Sequence, residues 1–198
     1  MLDLGSTKGD ICAAMETLPP QFRAIGGHPM CGKEIAGLEA AEATLFHHKT
    51  FILTPTSRTD ETMSDLAKAL VAAVGARPLL LPAAQHDQMV AAISHLPYLA
   101  ASVLMRVAAE QAAQDGRLWQ VSASGFRDTA RLAGSDPAML RDILLTNREA
   151  VLEQLGQYQG QLAAVAELIQ RGDETALAAW LQARQTEYAA YRRDKGEH

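Results

Sequence analysis

The pattern of apolar residues changes character at Pro82, and that change limits the chain to a two-part architecture. Before it, short apolar runs alternate with helical stretches, so that residues 22–27, 50–54 and 77–81 read as strands between helices. Such alternation predicts a parallel α/β sheet. The clearest helix of this part starts after Thr59, with Asp60 and Glu61 in its first turn, and stops at Gly75, a residue suited to a left-handed C-cap. After Pro82 no further strand is evident. Met89, Ile93, Leu96, Ala100, Val103 and Val107 follow the four-three rhythm of a helix presenting one seam to another helix.

A second long period runs from Leu140 through Leu144, Asn147, Val151, Leu155, Tyr158, Leu162 and Val165 to Ile169, and predicts one continuous packed helix beginning at Ser135-Asp136-Pro137. A last helix from about Asp173 carries Leu177, Leu181, Tyr188 and Tyr191 on one side. Residues 88–105 hold no Asp, Glu, Lys or Arg, but Gln88, Ser94, His95, Pro97 and Ser102 interrupt them. Burial inside protein is therefore the reading, rather than a membrane span. The excess of apolar helix faces favours a homodimer over a monomeric bundle.

Charge and cysteine content remove several functional classes. Eighteen Lys and Arg against 23 Asp and Glu leave a net charge of −5, which is not the footprint of a nucleic-acid binder. Cys12 and Cys31 are too few for a disulfide framework or a zinc cage. Asp3, Lys8 and Asp10 precede any apolar stretch, so no signal peptide is expected and a cytoplasmic location follows.

Few residues are positioned for chemistry. His28 follows a strand through Gly26-Gly27 and precedes Pro29, which places its ring at a strand's C-terminal end, where open α/β sheets bind ligands. It reads either as a turn histidine or as a general base. Of the other histidines, His47 and His48 read as exposed loop residues. His86 and His95, nine apart, fall on opposite faces of a regular helix, so no metal site is expected. Asp3 to Gly9 repeats the strand-turn-helix form, and Ser6, Thr7 and the helix start would either hold a hydroxyl or anion or serve as a plain N-cap. Arg127 and Arg131, four apart after Gly125, either grip a carboxylate or leave Arg131 paired with Asp128 at the surface. Ser94 and Tyr98 share one face of a helix kinked by Pro97, either as a pocket wall or as a packing feature.

Taken in order, DLGSTKG (3–9), GGHPMCGKE (26–34), FILTPT (51–56), His86-Asp87, SHLP (94–97), SGFRDTAR (124–131) and SDP (135–137) resemble the prephenate and arogenate dehydrogenases of tyrosine biosynthesis. The resemblance spans nearly the whole chain and rests on the ordered set rather than on any one motif. It implies an α/β N-terminal remnant of a Rossmann-like dinucleotide-binding domain over residues 1–82, followed by an all-α helical dimerisation domain over 83–198. It further implies oxidative decarboxylation of prephenate or arogenate, with hydride transfer to NAD or NADP. By this resemblance His28 is the catalytic base and Ser6 its companion on the ring hydroxyl. Arg131 anchors the ring carboxylate, and Glu34 and Arg127 gate the pocket. Ser94, Tyr98 and Gly125 complete the substrate site, and Ser6, Thr7 and Lys8 lie beside the nicotinamide.

Two departures from the family pattern stand out. Tyr98 occupies a position where prephenate-preferring members often carry histidine, which leaves substrate choice open, and SGFRDTAR looks most like the arogenate-using, NADP-linked members, a resemblance that leans toward arogenate. No G-x-G-x-x-G turn is present, since the spacing in Gly26-Gly27-His28-Pro29-Met30-Cys31-Gly32 is wrong for a pyrophosphate loop. The chain therefore reads as starting inside the nucleotide-binding sheet, with an unpaired strand edge near Leu2 and with weak or no cofactor binding of its own. The alternative is a non-catalytic, truncated dimerisation or ligand-binding module derived from the same family.

Overall fold

The computed structural model describes residues 1–32, 37, 39 and 41–196. Three strands, β1 (Ile25–Pro29), β2 (Thr50–Pro55) and β3 (Arg77–Leu80), form one sheet in that order. β2 and β3 are parallel and are joined by α2 (Glu61–Ala73). β1 pairs antiparallel with β2, with Gly26 opposite Thr54 and His28 opposite Ile52. The expectation of an all-parallel sheet is thus corrected. Side-chain alternation is the same for either strand direction, so an apolar run reports that a strand exists and not which way it runs. Leu2 adds a parallel bridge to Ile25 on the other side of β1.

One face of the sheet is closed by α2. Its Met63, Ala67 and Val71, four residues apart, pack with Ile25, Phe51, Leu53 and Ala76 into the main core. Asp60 caps the helix by accepting the Met63 N–H at 2.8 Å, and Gly75 leaves it at φ +76°, as the sequence pattern predicts. The other face meets α1 (Gly9–Glu16) at the double glycine of β1. A Cβ on Gly26 would lie 2.9 Å from Cys12 Sγ, and one on Gly27 would lie 2.7 Å from the Asp3 carbonyl. The two glycines let a helix and a neighbouring strand approach β1 from opposite sides.

The remainder is helical. α3 (Ala83–Val90) runs through a single π-turn, Ala91–His95, into α4 (Leu96–Gln114). Two short helices follow, α5 (Leu118–Val121) and α6 (Ser124–Ala130), and then a 3-10 turn, Arg131–Gly134, packed against α4. α7 (Pro137–Thr146) starts where predicted, with Asp136 accepting the Met139 N–H at 2.7 Å. The long helix expected from Leu140 to Ile169 is broken. α7 ends at Asn147, and α8 (Arg148–Arg171) begins after it. α9 (Glu174–Lys195) is capped by Asp173 at one end and by Gly196 in the left-handed region at the other. By packing, the described chain separates into two compact units, Met1–Leu152 and Glu153–His198.

The apolar seam on α3 and α4 is not buried in this chain as expected. Ile93 is 68% exposed and Val103 59%, while His86, Asp87, Val90, Ala91 and His95 face inward instead. Residues 83–114 are long and apolar enough to cross a bilayer by length and composition, yet their inward face carries two histidines and an aspartate. A lipid-embedded helix would have to desolvate those groups, whereas here protein partners satisfy them.

Candidate functional site

The π-turn decides which side chains meet. On a regular helix, nine residues separate His86 and His95 by half a turn of the circle. The extra residue in a π-turn removes one step of about 100°, leaving them about 80° apart. Both are accordingly buried on one face, contrary to the opposite-face expectation.

His28, on β1, joins this face. Its Nδ1 lies 2.8 Å from His86 Nε2, and His86 Nδ1 lies 2.7 Å from Asp87 Oδ1. Asp87 also accepts the backbone N–H groups of Lys8 and Gly9, each at 2.8 Å, on Oδ1 and Oδ2 respectively. The N-terminus of α1, expected to bind an anion or to be capped by Ser6 or Thr7, is therefore capped by a carboxylate from α3. Asn147, at the break between α7 and α8, donates Nδ2 to the Asp87 carbonyl at 2.7 Å and lies 3.2 Å from His95 Nδ1. The break follows from this demand, because a buried amide held by two partners fixes the backbone where a regular helix would have carried it past them.

Burial, followed by the neighbouring His86 and Lys8, lowers the His28 pKa to about 4, so its ring is neutral at pH 7. His95 is also lowered, chiefly by burial. Asp87 is held below the usual carboxylate range: burial acts in the opposite direction, but the His86, Lys8 and Gly9 hydrogen bonds outweigh it. His28 remains partly open to solvent and, among the described residues, only its Nδ1 has a hydrogen-bond partner.

The remaining expected site residues are placed as follows. Ser6 is half-buried just before α1, and the Thr7 hydroxyl meets that of Thr146 at 2.9 Å. Lys8 is 0% exposed, its Nζ donating to Asp3 Oδ2 at 2.7 Å and to the Gly27 carbonyl at 2.6 Å. In this structure the Lys8 ammonium is enclosed and ties Asp3 to β1. Gly125 and Arg127 lie on α6, where Arg127 sits 3.6 Å from Asp128, and Arg131 opens the 3-10 turn against α4. Ser94 is exposed and Tyr98 half-buried. Glu34 lies outside the described residues. No hydrogen bond joins Arg131, Ser94 or Tyr98 directly to His28 among the described residues. Spacing sets His86 and His95 aside as a metal pair and places Asn147 within a helical rhythm, so none of the three is expected at the site, and Asp87 enters only through the ordered motif His86-Asp87.

A dinucleotide fits these residues poorly. The N-terminus of α1 already holds the Asp87 carboxylate, and the Lys8 ammonium is enclosed. No group of three or more His, Cys, Asp or Glu able to hold a metal ion occurs among the described residues.

Two family models match. Residues 1–80 match the nucleotide-binding domain of prephenate dehydrogenase, and residues 82–183 match its dimerization domain. The prephenate dehydrogenase of Bacillus subtilis is 32% identical over 172 residues, which cover 86% of this chain and 46% of that protein. Among solved structures, Synechocystis arogenate dehydrogenase superposes with a TM-score of 0.84 at 30% identity, covering 96% of this chain and 68% of the other. Aquifex aeolicus prephenate dehydrogenase, in complex with hydroxyphenyl propionate and NAD+, superposes with a TM-score of 0.89 at 32% identity, covering 96% and 66%. The chain spans about half the length of the curated relatives it matches. With both family models matched end to end across residues 1–183 and the fold shared with these enzymes, the chain belongs to the prephenate dehydrogenase family.

Proposed function

We propose that this chain is the substrate-handling part of an NAD(P)-dependent dehydrogenase that oxidatively decarboxylates prephenate or arogenate. The observation that carries this reading is the state of His28, a neutral, partly exposed imidazole anchored through Nδ1, with Nε2 free of any hydrogen-bond partner among the described residues. A base for a ring hydroxyl needs that state at pH 7. In this reading His28 accepts the hydroxyl proton and Ser6 holds the same oxygen. Arg131, a planar cation with paired donors, anchors the ring carboxylate that leaves as carbon dioxide. Gly125, Ser94 and Tyr98 line the substrate, Glu34 and Arg127 gate its entry, and the SGFRDTAR stretch leans toward arogenate.

NAD or NADP supplies the hydride acceptor in such a reaction. The residues described here offer its pyrophosphate no seat, so this chain's own work is confined to substrate binding, orientation and proton removal. Residues 1–82 are taken as the nucleotide-domain part, with Ser6 and Thr7 nearest the nicotinamide, and 83–198 as the substrate and dimer part. The exposed seam of Met89, Ile93, Val103 and Val107 supports a homodimer through the helical part. A cytoplasmic location suits a soluble biosynthetic enzyme.

The test is absorbance of reduced nicotinamide with prephenate and with arogenate, using the chain alone and the chain joined to the nucleotide-binding half of the Bacillus subtilis relative. Turnover in the joined form, greater with arogenate, is expected. No turnover with either substrate in a folded, nicotinamide-binding fusion contradicts the reading. A second reading, a non-catalytic module that dimerises and binds a carboxylated ring, is favoured by the filled helix N-terminus. It predicts ring-acid binding without turnover in either form.

A further inference from the structure

For proton removal the mechanism above uses His28, which is the outer end of a hydrogen-bonded row that runs inward through His86 to Asp87 and ends on a helix N-terminus. We infer that His86 and Asp87 are positioning residues that fix the tautomer of His28, holding its proton on Nδ1 and its lone pair on Nε2. The inference rests on the proposed role of His28 and extends it to two buried residues behind it.

The direction of each bond follows from the donors available. Asp87 Oδ1 and Oδ2 each already accept a backbone N–H, from Lys8 and Gly9, which only donate. The third contact on this carboxylate, at 2.7 Å, has to be donated by His86 Nδ1. With one ring proton, placed on Nδ1, His86 presents its lone pair at Nε2, and the contact 2.8 Å further out is then donated by His28 Nδ1. What remains to His28 is Nε2, unprotonated and on the opposite side of the ring from the anchor.

The surroundings oppose the reversed order. That order needs a second proton on His86, on Nε2 as well as Nδ1, inside a residue that is 0% exposed. The Asp87 charge that would balance it is already partly neutralised by the two N–H groups of α1. Asn147 completes the clamp from the α7–α8 break by binding the Asp87 carbonyl, so the carboxylate is held at both its main chain and its side chain. The logic is that of a catalytic triad's acid, which orients an imidazole without taking its proton, here with a second imidazole interposed.

The experiment is nitrogen-15 NMR of the histidine rings in the full chain at neutral pH, which reports each tautomer without any turnover. The wild-type chain is expected to show His28 protonated on Nδ1 and His86 protonated on Nδ1. Asp87→Asn should reduce the preference of His28 for that tautomer by about tenfold or more, the scale set by losing one charge-assisted hydrogen bond. Because Asp87→Asn also removes the cap of α1, His86→Phe is the second variant. It keeps the ring volume, leaves α1 capped, and should release His28 to the Nε2-protonated form favoured by free histidine. Wild-type His28 found protonated on Nε2, or as an imidazolium, overturns the inference, as does a His28 tautomer unchanged in folded His86→Phe. Since no substrate or nicotinamide enters the measurement, a failure here is separate from a failure of the proposed reaction.

Discussion

Lys8→Met separates the structural role found for this lysine from the nucleotide-binding role that the family resemblance implies. The Lys8 side chain is 0% exposed, and its ammonium is shared between Asp3 Oδ2 at 2.7 Å and the Gly27 carbonyl at 2.6 Å. Methionine keeps most of the methylene volume, so little cavity forms and the loss is electrostatic. Removing one partner of a buried ion pair costs about 3–5 kcal/mol, because the other charge stays desolvated. Asp3 retains the N–H groups of Gly5 at 2.6 Å and Gly27 at 3.1 Å, which places the expected loss at the lower end. About 3 kcal/mol corresponds to a fall of roughly 6–12 °C in Tm for a chain of this size. Urea unfolding followed by circular dichroism reads the change as a lower midpoint at constant slope. In Asp3→Asn/Lys8→Met no charge is left unpaired, and about 1–2 kcal/mol should return. A loss below about 1 kcal/mol, accompanied by weaker nicotinamide binding in the joined enzyme, would refute the structural assignment.

Three further outcomes follow from the same geometry. Gly27→Ala places a methyl group 2.7 Å from the Asp3 carbonyl and 3.0 Å from Phe51 Cε1, so about 1–3 kcal/mol of stability should be lost in thermal unfolding, and a neutral effect would contradict the close strand approach. His28 has a folded pKa of about 4 against about 6.5 unfolded, so the unfolded chain binds the proton first. Its stabilising contribution is complete above pH 6.5 and falls as pH drops toward 4, by about 2 kcal/mol allowing for partial exposure, and His28→Gln should flatten that part of a urea-midpoint profile. Val103→Asp/Val107→Asp, at two exposed positions one helical turn apart, should convert a dimer to monomers in sedimentation velocity without lowering the helical signal, and an unchanged dimer would move the interface elsewhere.

Much of the scaffold was legible because its signals are local. Asp60, Asp136 and Asp173 each announce a helix start by a side chain that caps its own third residue onward, and Gly75 marks an end through positive φ. Strand direction was not legible, since the apolar pattern of β1 is the same whether it runs parallel or antiparallel to β2. The seam of α3 and α4 was legible as apolar but not as exposed within this chain, because periodicity identifies a face and not what covers it.

His28 was found by its place at the end of a strand. Its partners were hidden by one extra residue of helix: the π-turn at Ala91–His95 rotates His95 onto the side of His86, and Pro97 signals a kink there without saying that it takes this form. Asn147 was hidden in a different way. It sits at an apolar position of the helical rhythm, where an isolated amide looks tolerated, and only the fold shows the carbonyl and imidazole that hold it.

The account stands on His28 as the group that removes the substrate's proton, and kinetics of His28→Asn in the joined enzyme test it most directly. With the preferred ring acid, kcat is predicted to fall by about 10²–10⁴ while KM changes little, because a positioned base acts in the transition state more than in binding. A variant that keeps kcat within tenfold of the parent, or that loses only affinity, would place the base elsewhere.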